Sequence, residues 1–565
     1  MSTKHFLFIL LTFFYILPTK SQAVSKDFVS ERIYLQTDKQ IYITGELMWM
    51  KLISASPEGI PLSFSKVAYV ELWDENASHM QAKIDLRYGV GKGWLITPIQ
   101  LPTGYYRLIA YTKNMRNESS NVFFQKNIAV VNPLELDKTS SEASAINAVS
   151  GNGQGNISLS TDKTLYSQRE KVKINIEGLP EDTYTLSVSV AGIDPVDTKE
   201  ETTGILQWKN QLASIQPQAF SGKFFPEYEG HIIEGKMINT TTDRQEFNAR
   251  VKPFVGFVGP DLAFFSGMSD EEGNIKFLTN HTAGIKEIVT APLYISSNIE
   301  SGYRIDIDYP FVDKFETGRL PSLDKSRLDN NYFMQRNIAL QVLHSFTNDS
   351  VNQLISPRSY FNCKPDHTYI MDEYRRFATM QEVITEFVVF TRFRRINDKR
   401  FLSIYDINTN TFSSGLTFVF LDGVPVFDHD IIYNYDPTLL KRIDVYKDNF
   451  VFGSQMVNGI VFFTTYQGDY SGLKLDNSTQ FFDYEGTKAE RMFYSPVYND
   501  DEDRKSRLPD FRHTLLWNPE IQTNGNTPVS IPLYTSDIAG KFQVTVEGIT
   551  TTGKPVYAVS TFDVR

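Results

Sequence analysis

The chain has 565 residues, of which 41% are hydrophobic and 13% aromatic, and its 67 acidic against 56 basic side chains give a formal net charge of −11 at pH 7. That length suggests roughly three to five domains with enough apolar content for real cores. The acidic balance disfavours nucleic acid and anionic membrane as ligands, and the single cysteine, Cys363, excludes an internal disulfide.

At the N-terminus, Lys4 precedes the apolar run from Phe6 to Leu17, and Ser21-Gln22-Ala23 supplies small residues at a cleavage position. Residues 1–23 therefore read as a secretory signal, cut after Ala23. The 12-residue apolar run is too short to cross a bilayer, and no later segment approaches the length needed. No direct transmembrane segment is expected.

Thr37-Asp38-Lys39-Gln40-Ile41-Tyr42 with Glu46 recurs as Thr161-Asp162-Lys163-Thr164-Leu165-Tyr166 with Glu170, 124 residues later. Self-similarity at that distance implies two copies of one domain. The pattern resembles the opening of macroglobulin-type β-sandwiches, and it implies such sandwiches at 24–136 and, whole or partial, at 157–222. The Ser-, Asn- and Gly-rich stretch 137–156 between them reads as a linker. Asp38 and Glu46 are taken as structural, because an Asp beside a turn satisfies local backbone donors. The resemblance also raises protease trapping, but Cys363 sits in Phe361-Asn362-Cys363-Lys364-Pro365, which is not a Cys-Gly-Glu-Gln thioester.

Glu227 to Lys236 and Asp270 to Phe277 resemble the small carboxypeptidase-regulatory-like sandwich, placed at 223–312. A helical connector follows at 313–368, with its helix expected over Ser326 to Phe346. Thr379-Met380-Gln381-Glu382 has the form of a capping box that opens a second, short helix.

Leu421-Asp422-Gly423-Val424-Pro425, Asp436-Pro437, Ile443-Asp444-Val445, Gly453 and Asn458-Gly459-Ile460-Val461 follow in an order that resembles the plug domain of TonB-dependent outer-membrane receptors. Physically they spell strand, tight turn, linker, strand, hairpin and strand, and the Asp-Gly and Asn-Gly pairs are expected to supply positive φ at turns. The runs 418–421 and 460–463 are apolar on both faces, as in central strands of a covered sheet. The plug-like unit is placed at 369–475. Only 100 residues follow Thr465, against well over 200 for a receptor-sized barrel by the length of membrane strands, so a plug-like unit without a barrel is expected. The resemblance implies that Asp422, Gly423, Val424, Pro425, Phe427, Tyr433 and Tyr435 contact an outer-membrane β-barrel partner.

A connector at 476–508 leads to a C-terminal immunoglobulin-like β-domain at 509–565, where Phe542, Val544 and Val546 alternate on one strand, Val556, Ala558 and Ser560 on the next, and Thr552-Gly553 marks the turn. Expected overall is a mainly β, multidomain chain of tandem macroglobulin- and immunoglobulin-like sandwiches with one small α+β plug-like domain. No metalloprotease, paired-Cys zinc, phosphate-loop or Gly-x-Ser-x-Gly motif occurs. Asp428-His429-Asp430 is taken as solvated loop rather than a metal site. No catalytic residue, cofactor or metal is expected. The expected function is that of a non-enzymatic, exported envelope scaffold docking on a barrel in the periplasm, at the outer membrane or at the cell surface. A surface protein binding a glycan or peptide is the alternative, and a thioester-less, protease-interacting macroglobulin relative is a third.

Overall fold

The computed structural model describes residues 29–136, 154–196, 204–215, 220–279, 283–284, 287–294, 302–346, 363–396, 398–406, 410–475, 477–523 and 527–565. The signal at 1–23 and linker residues 137–153 lie outside them. The described chain is mainly β and builds several sheets, as expected.

The first sandwich is one eight-stranded sheet, running from Arg32–Thr37 through Leu47–Ala55, Val90–Ile96, Ser78–Arg87, Val67–Trp73, Gly104–Thr112 and Phe124–Val131 to Ile41–Ile43. It folds over a core that includes Tyr34, Leu52, Tyr69, Leu108 and Ile128. Later segments finish that core. Ile205, Trp208 and Leu212 from the helix Ile205–Leu212 enter it, as do Phe311 and Phe315.

The repeat is a hydrogen-bonded unit, reproduced almost atom for atom. Asp38 Oδ1 accepts from the Tyr42 hydroxyl at 2.7 Å and the Trp49 amide at 3.0 Å. Asp162 Oδ1 accepts from the Tyr166 hydroxyl at 2.9 Å and the Lys173 amide at 2.6 Å. Each Thr hydroxyl donates to the Lys carbonyl two residues on at 2.7 Å, and each Lys ion-pairs with the Glu seven residues on. Gly45 and Arg169 occupy equivalent positions and both have positive φ, +83° and +54°. Arg169 is held there by two 2.7 Å bonds to Asp537 and by the carbonyls of Ser506 and Leu508.

The same topology shows where the second copy ends. Ile41–Ile43 pairs parallel with Phe124–Val131, and its equivalent, Leu165–Tyr166, pairs parallel with Pro555–Val564. Thr183–Gly192 lies between Gly540–Thr550 and Thr514–Asn518, and Lys171–Glu177 pairs with Val529–Tyr534. Residues 157–192 and 509–565 are therefore one sandwich around a single core of Val172, Val188, Leu515, Val544 and Val556. The separate domains expected at 157–222 and 509–565 are corrected accordingly: neither segment has enough strands to cover both faces of its own core. Gln154–Gly155, assigned to the linker, adds to Pro555–Val564.

The third unit carries His231–Asn239, Val251–Phe257, Phe264–Ser269, Asn274–Thr279, Glu287–Tyr294 and Tyr303–Ile307, and Gln480–Asp483 from the presumed 476–508 connector completes its edge. The fourth unit contains His367–Ile370, Leu440–Phe452, Gln455–Thr465, Phe418–Leu421 and Val424–Pro425 in one sheet. Its short helix Met380–Glu386 has the expected capping box at Thr379 and Glu382.

Both faces of the central strands are covered, for a reason that alternation makes plain. Val419, Leu421, Val461 and Phe463 face the unit's own core with Val383 and Ile384, while Phe418, Phe420, Ile460 and Phe462 pack on Phe254, Leu262 and Phe264 of the third unit. The divide expected between 223–312 and 369–475 is thus a shared apolar core. Asn458-Gly459 is not a turn, as had been expected. Gly459 lies inside a strand at φ +99°, where an added Cβ would sit 2.5 Å from Ile404 Cδ1, and the hairpin turns at Gly453.

The two sandwiches meet through polar groups. The Tyr34 hydroxyl donates to Glu547 at 2.7 Å and the Ser187 hydroxyl to Gln36 at 2.5 Å. Among the described residues, the Nζ of Lys51, 1% exposed, has no hydrogen-bond partner. Burial lowers its pKa to about 7 against the weaker opposing pull of Glu520 and Glu547. Between that value and the unfolded pKa of about 10.4, the native state holds fewer protons than the unfolded chain, so stability rises with pH there. Lys51→Met is expected to raise stability by about 1–3 kcal/mol at pH 7 and below. The gain should vanish towards pH 10, which denaturant unfolding across that range checks.

Candidate functional site

The loop that the sequence nominates is built into the interior. Asp422 and Gly423 form a tight turn with φ of +49° and +85°. Asp422 is fully buried, and its carboxylate accepts from the Thr465 amide at 2.8 Å, the Thr465 hydroxyl at 2.5 Å and the Tyr470 amide at 2.9 Å. Its carbonyl accepts from the Gly259 amide of the third unit at 2.9 Å. Val424 and Pro425 are buried and pair with Leu421 and Phe420. Phe427 is half-buried against the Phe254 and Phe418 rings. Tyr433 is half-buried beneath Arg400, whose guanidinium lies 4.0 Å from the ring centre. The buried Tyr435 hydroxyl donates to Ser471 O at 2.6 Å, and burial pushes its pKa up to about 12.

As a docking surface this set is corrected in part: Asp422 to Pro425 are buried and abut the third unit, Tyr435 is buried in the fourth unit's own core, and only Phe427 and Tyr433 are half-buried. In the neighbouring Asp428-His429-Asp430, Asp428 caps a helical turn, Asp430 pairs with Arg400, and His429 Nδ1 accepts from the Leu402 amide at 2.8 Å. Burial lowers the His429 pKa to about 4. Among the described residues, no group of three or more His, Cys, Asp or Glu is placed to hold a metal ion.

The sequence did not disclose a cleft of about 120 Å³ at the junction of both sandwiches and the helix Asn330–Phe346. Ile43, Leu47, Trp49, Leu340, Leu343 and Phe493 give it apolar walls. Its floor is a charge cluster. Arg336 Nη2 donates to Glu46 at 2.8 and 3.0 Å, and Nη1 pairs with Asp194. Lys39 Nζ lies 3.1 Å from Glu46, and the Tyr332 hydroxyl and His513 Nε2 lie 2.8 and 3.2 Å from Asp194. Burial would raise the Glu46 carboxyl, but Arg336 and then Lys39 outweigh it and hold the pKa at about 2. Every charge in the cluster has an opposite partner, so the arrangement locks three elements together. Lys39 and Glu46 carried a sequence signal, through the repeat; Asp194, Arg336 and His513 come from distant segments.

The fold and these sites can be set beside known proteins. No family model matches the chain, and the search of curated proteins found no match. Among solved structures, an Escherichia coli alpha-2-macroglobulin activated by porcine elastase aligns at TM-score 0.24 and 8% identity, over 95% of this chain and 44% of that one. A Salmonella alpha-2-macroglobulin reacted with methylamine gives TM-score 0.24 and 9% identity over 95% and 39%. The Escherichia coli adhesin FdeC gives TM-score 0.15 and 11% identity over 50% and 65%. The chain spans less than half the length of these two macroglobulins. At such TM-scores the overlaps carry no weight for function. No described helix is long and apolar enough to cross a membrane.

Proposed function

We propose that the chain is a non-enzymatic, exported scaffold of a Gram-negative envelope, presenting its plug-like unit to an outer-membrane β-barrel partner. What supports this most is the welding of its units: the third and fourth share one apolar core, and the two sandwiches and the long helix are bridged by buried ion pairs. Such a body suits presentation of a fixed surface. The docking element is then the far end of the hairpin Leu440–Phe452 and Gln455–Thr465, not the largely buried 422–425 turn. There Val451 is 70% and Met456 59% exposed, and His367–Ile370 pairs with Leu440–Phe452 only at Arg442 to Val445. The outer edge beyond offers strand addition together with apolar side chains.

The test is affinity purification of the tagged protein from gently solubilised outer membranes, with mass spectrometry of what accompanies it. A stoichiometric β-barrel that is lost on Val451→Asp plus Met456→Asp, at unchanged Tm, is the expected result. A protein that purifies alone defeats the scaffold reading.

A second reading, a surface protein binding a glycan or peptide, draws on a different place. Phe64, Tyr228 and Phe225 form a partly exposed aromatic cluster with ring centres 6.4 and 5.8 Å apart, and Lys276 lies over Phe225. Aromatic faces of this kind stack on sugar rings or apolar side chains. Glycan arrays probed with the parent and with Tyr228→Ala test it.

A further inference from the structure

The net acidity of the chain conceals one local reversal. Residues 391–406 hold five basic and two acidic side chains in a chain of net charge −11. They form the antiparallel hairpin Thr391–Ile396 and Lys399–Asp406, in which Arg392 lies opposite Ser403, Arg394 opposite Phe401 and Ile396 opposite Lys399. Directly opposed residues project to the same side of a sheet. Arg392, Arg394, Ile396 and Lys399 therefore share the outer face with the half-buried Phe401 and the buried Ser403, while Phe393, Leu402 and Ile404 turn towards the core of the fourth unit.

The basic residues divide by face. Arg395 and Arg400, on the inner side, are neutralised by Asp398 at 2.7 Å and Asp430 at 2.8 Å. Arg392, Arg394 and Lys399 have no ion pair with a described carboxylate. The two arginines are nevertheless held in place. Arg392 lies over the Phe412 ring at 4.3 Å, and Arg394 Nη1 donates to the Phe412 carbonyl at 3.2 Å. A guanidinium oriented in this way keeps its remaining donors for oxygens in the plane, the geometry that phosphate accepts. Ile396, 42% exposed, rides on the same face beside Lys399.

We propose that this face binds phosphate-bearing lipid headgroups, Arg392, Arg394 and Lys399 meeting the phosphates and Ile396 entering the interface between headgroups and acyl chains. The apolar side chain among unpaired cations favours a lipid surface over an acidic polypeptide, which needs charge alone. Nucleic acid is disfavoured because the rings on this side are already engaged, Phe412 by Arg392 and the half-buried Phe401 beside His429. The expectation drawn from net charge is thereby revised: the fields of three adjacent cations act within a Debye length of about 8 Å, where the acidic remainder is largely screened. The contact is independent of any barrel partner.

The test is flotation of the full chain with vesicles of phosphatidylcholine alone and of phosphatidylcholine with phosphatidylglycerol. Binding is expected only with the anionic lipid, falling as salt is raised. Each cation contributes about fivefold, so Arg392→Gln plus Lys399→Gln should weaken binding about 25-fold. Both side chains are exposed, and an unchanged Tm certifies the fold. Adding Arg394→Gln should bring the loss to about 125-fold, and the double variant suffices if the triple fails to fold. Equal binding to both vesicles, or a double variant that binds like the parent, overturns the proposal. So does competition by inorganic phosphate or polyglutamate, at matched charge, that displaces the protein as fully as excess anionic vesicles do, since that marks a free-anion or acidic-peptide site.

Discussion

Arg336→Met is expected to cost about 3–5 kcal/mol at pH 7, read as a fall in the denaturant midpoint, because it leaves two buried carboxylates without their main counter-charge, Lys39 remaining on Glu46 alone. Arg336 is 7% exposed and joins Glu46 of the first sandwich to Asp194, which follows the strand Thr183–Gly192 of the second. Methionine keeps most of the packing of the arginine stem, so the change isolates the charge. The pH profile should shift as well. Burial pushes both carboxyls up, and Arg336 is the first influence that reverses this, holding Glu46 at about 2 and Asp194 well below the usual carboxylate range. A carboxyl depressed in the folded state adds stability above its unfolded pKa of about 4, and that stability is lost as pH falls towards the folded value. In the parent this loss belongs below about pH 4. Without Arg336 the burial effect is left less opposed, so the acid limb should begin at higher pH. Arg336→Lys, which keeps the charge but not the two-pronged reach, should fall between. Parallel stability curves for parent and Arg336→Met through the acid range would show that the bridge is not electrostatic.

How much of this was legible depends on the distance over which each feature is encoded. Local chemistry was readable: the capping box at Thr379 and Glu382, the left-handed Asp422-Gly423 turn, and the hairpin at Thr552-Gly553 all formed as their residues dictate. The doubly apolar strands at 418–421 and 460–463 announced two covered faces, but a sequence names no partner, and the second cover came from Phe254 and Phe264 in another unit. The repeat at Asp38 and Asp162 was visible because its bonds span at most eleven residues. That the four strands from Thr514 to Val564 complete its second copy was not, because that copy is interrupted and resumes near Asp510. In the long helix, which begins at Asn330 rather than Ser326, the most buried side chains are Phe333 and Arg336. Neither was chosen on apolar spacing, and a buried arginine gives no periodic signal. The nominated docking loop failed for a related reason: Asp-Gly-Val-Pro marks a tight turn in any setting, and only tertiary contacts decide whether that turn faces solvent.

Gly423→Ala should be the sharpest test of how that turn is used. Gly423 has φ +85°, and an alanine Cβ there would stand 2.1 Å from Phe257 O and 3.2 Å from Gly259 N, both backbone atoms of the third unit. The reciprocal approach is equally close, since a Cβ on Gly256 would meet Gly423 O at 2.7 Å. No side-chain rotation relieves a collision with a carbonyl, so the turn must withdraw and strain the 2.9 Å bond from the Gly259 amide to Asp422 O. Left-handed backbone costs an alanine about 1–2 kcal/mol, and overpacking adds about 1–3 kcal/mol, for a total of roughly 2–5 kcal/mol. Gly468→Ala supplies the comparison. Its φ is +69° but nothing lies within 4 Å of the added Cβ, so only the backbone term of about 1–2 kcal/mol should appear. The difference between the two variants measures the contact between units. Thermal unfolding of both, together with proteolysis of the Gly423→Ala protein to detect separation of the third and fourth units, reads it out. Equal losses would mean that the turn is not pressed against the third unit, and the 422–435 loop would again be free to serve as a docking surface.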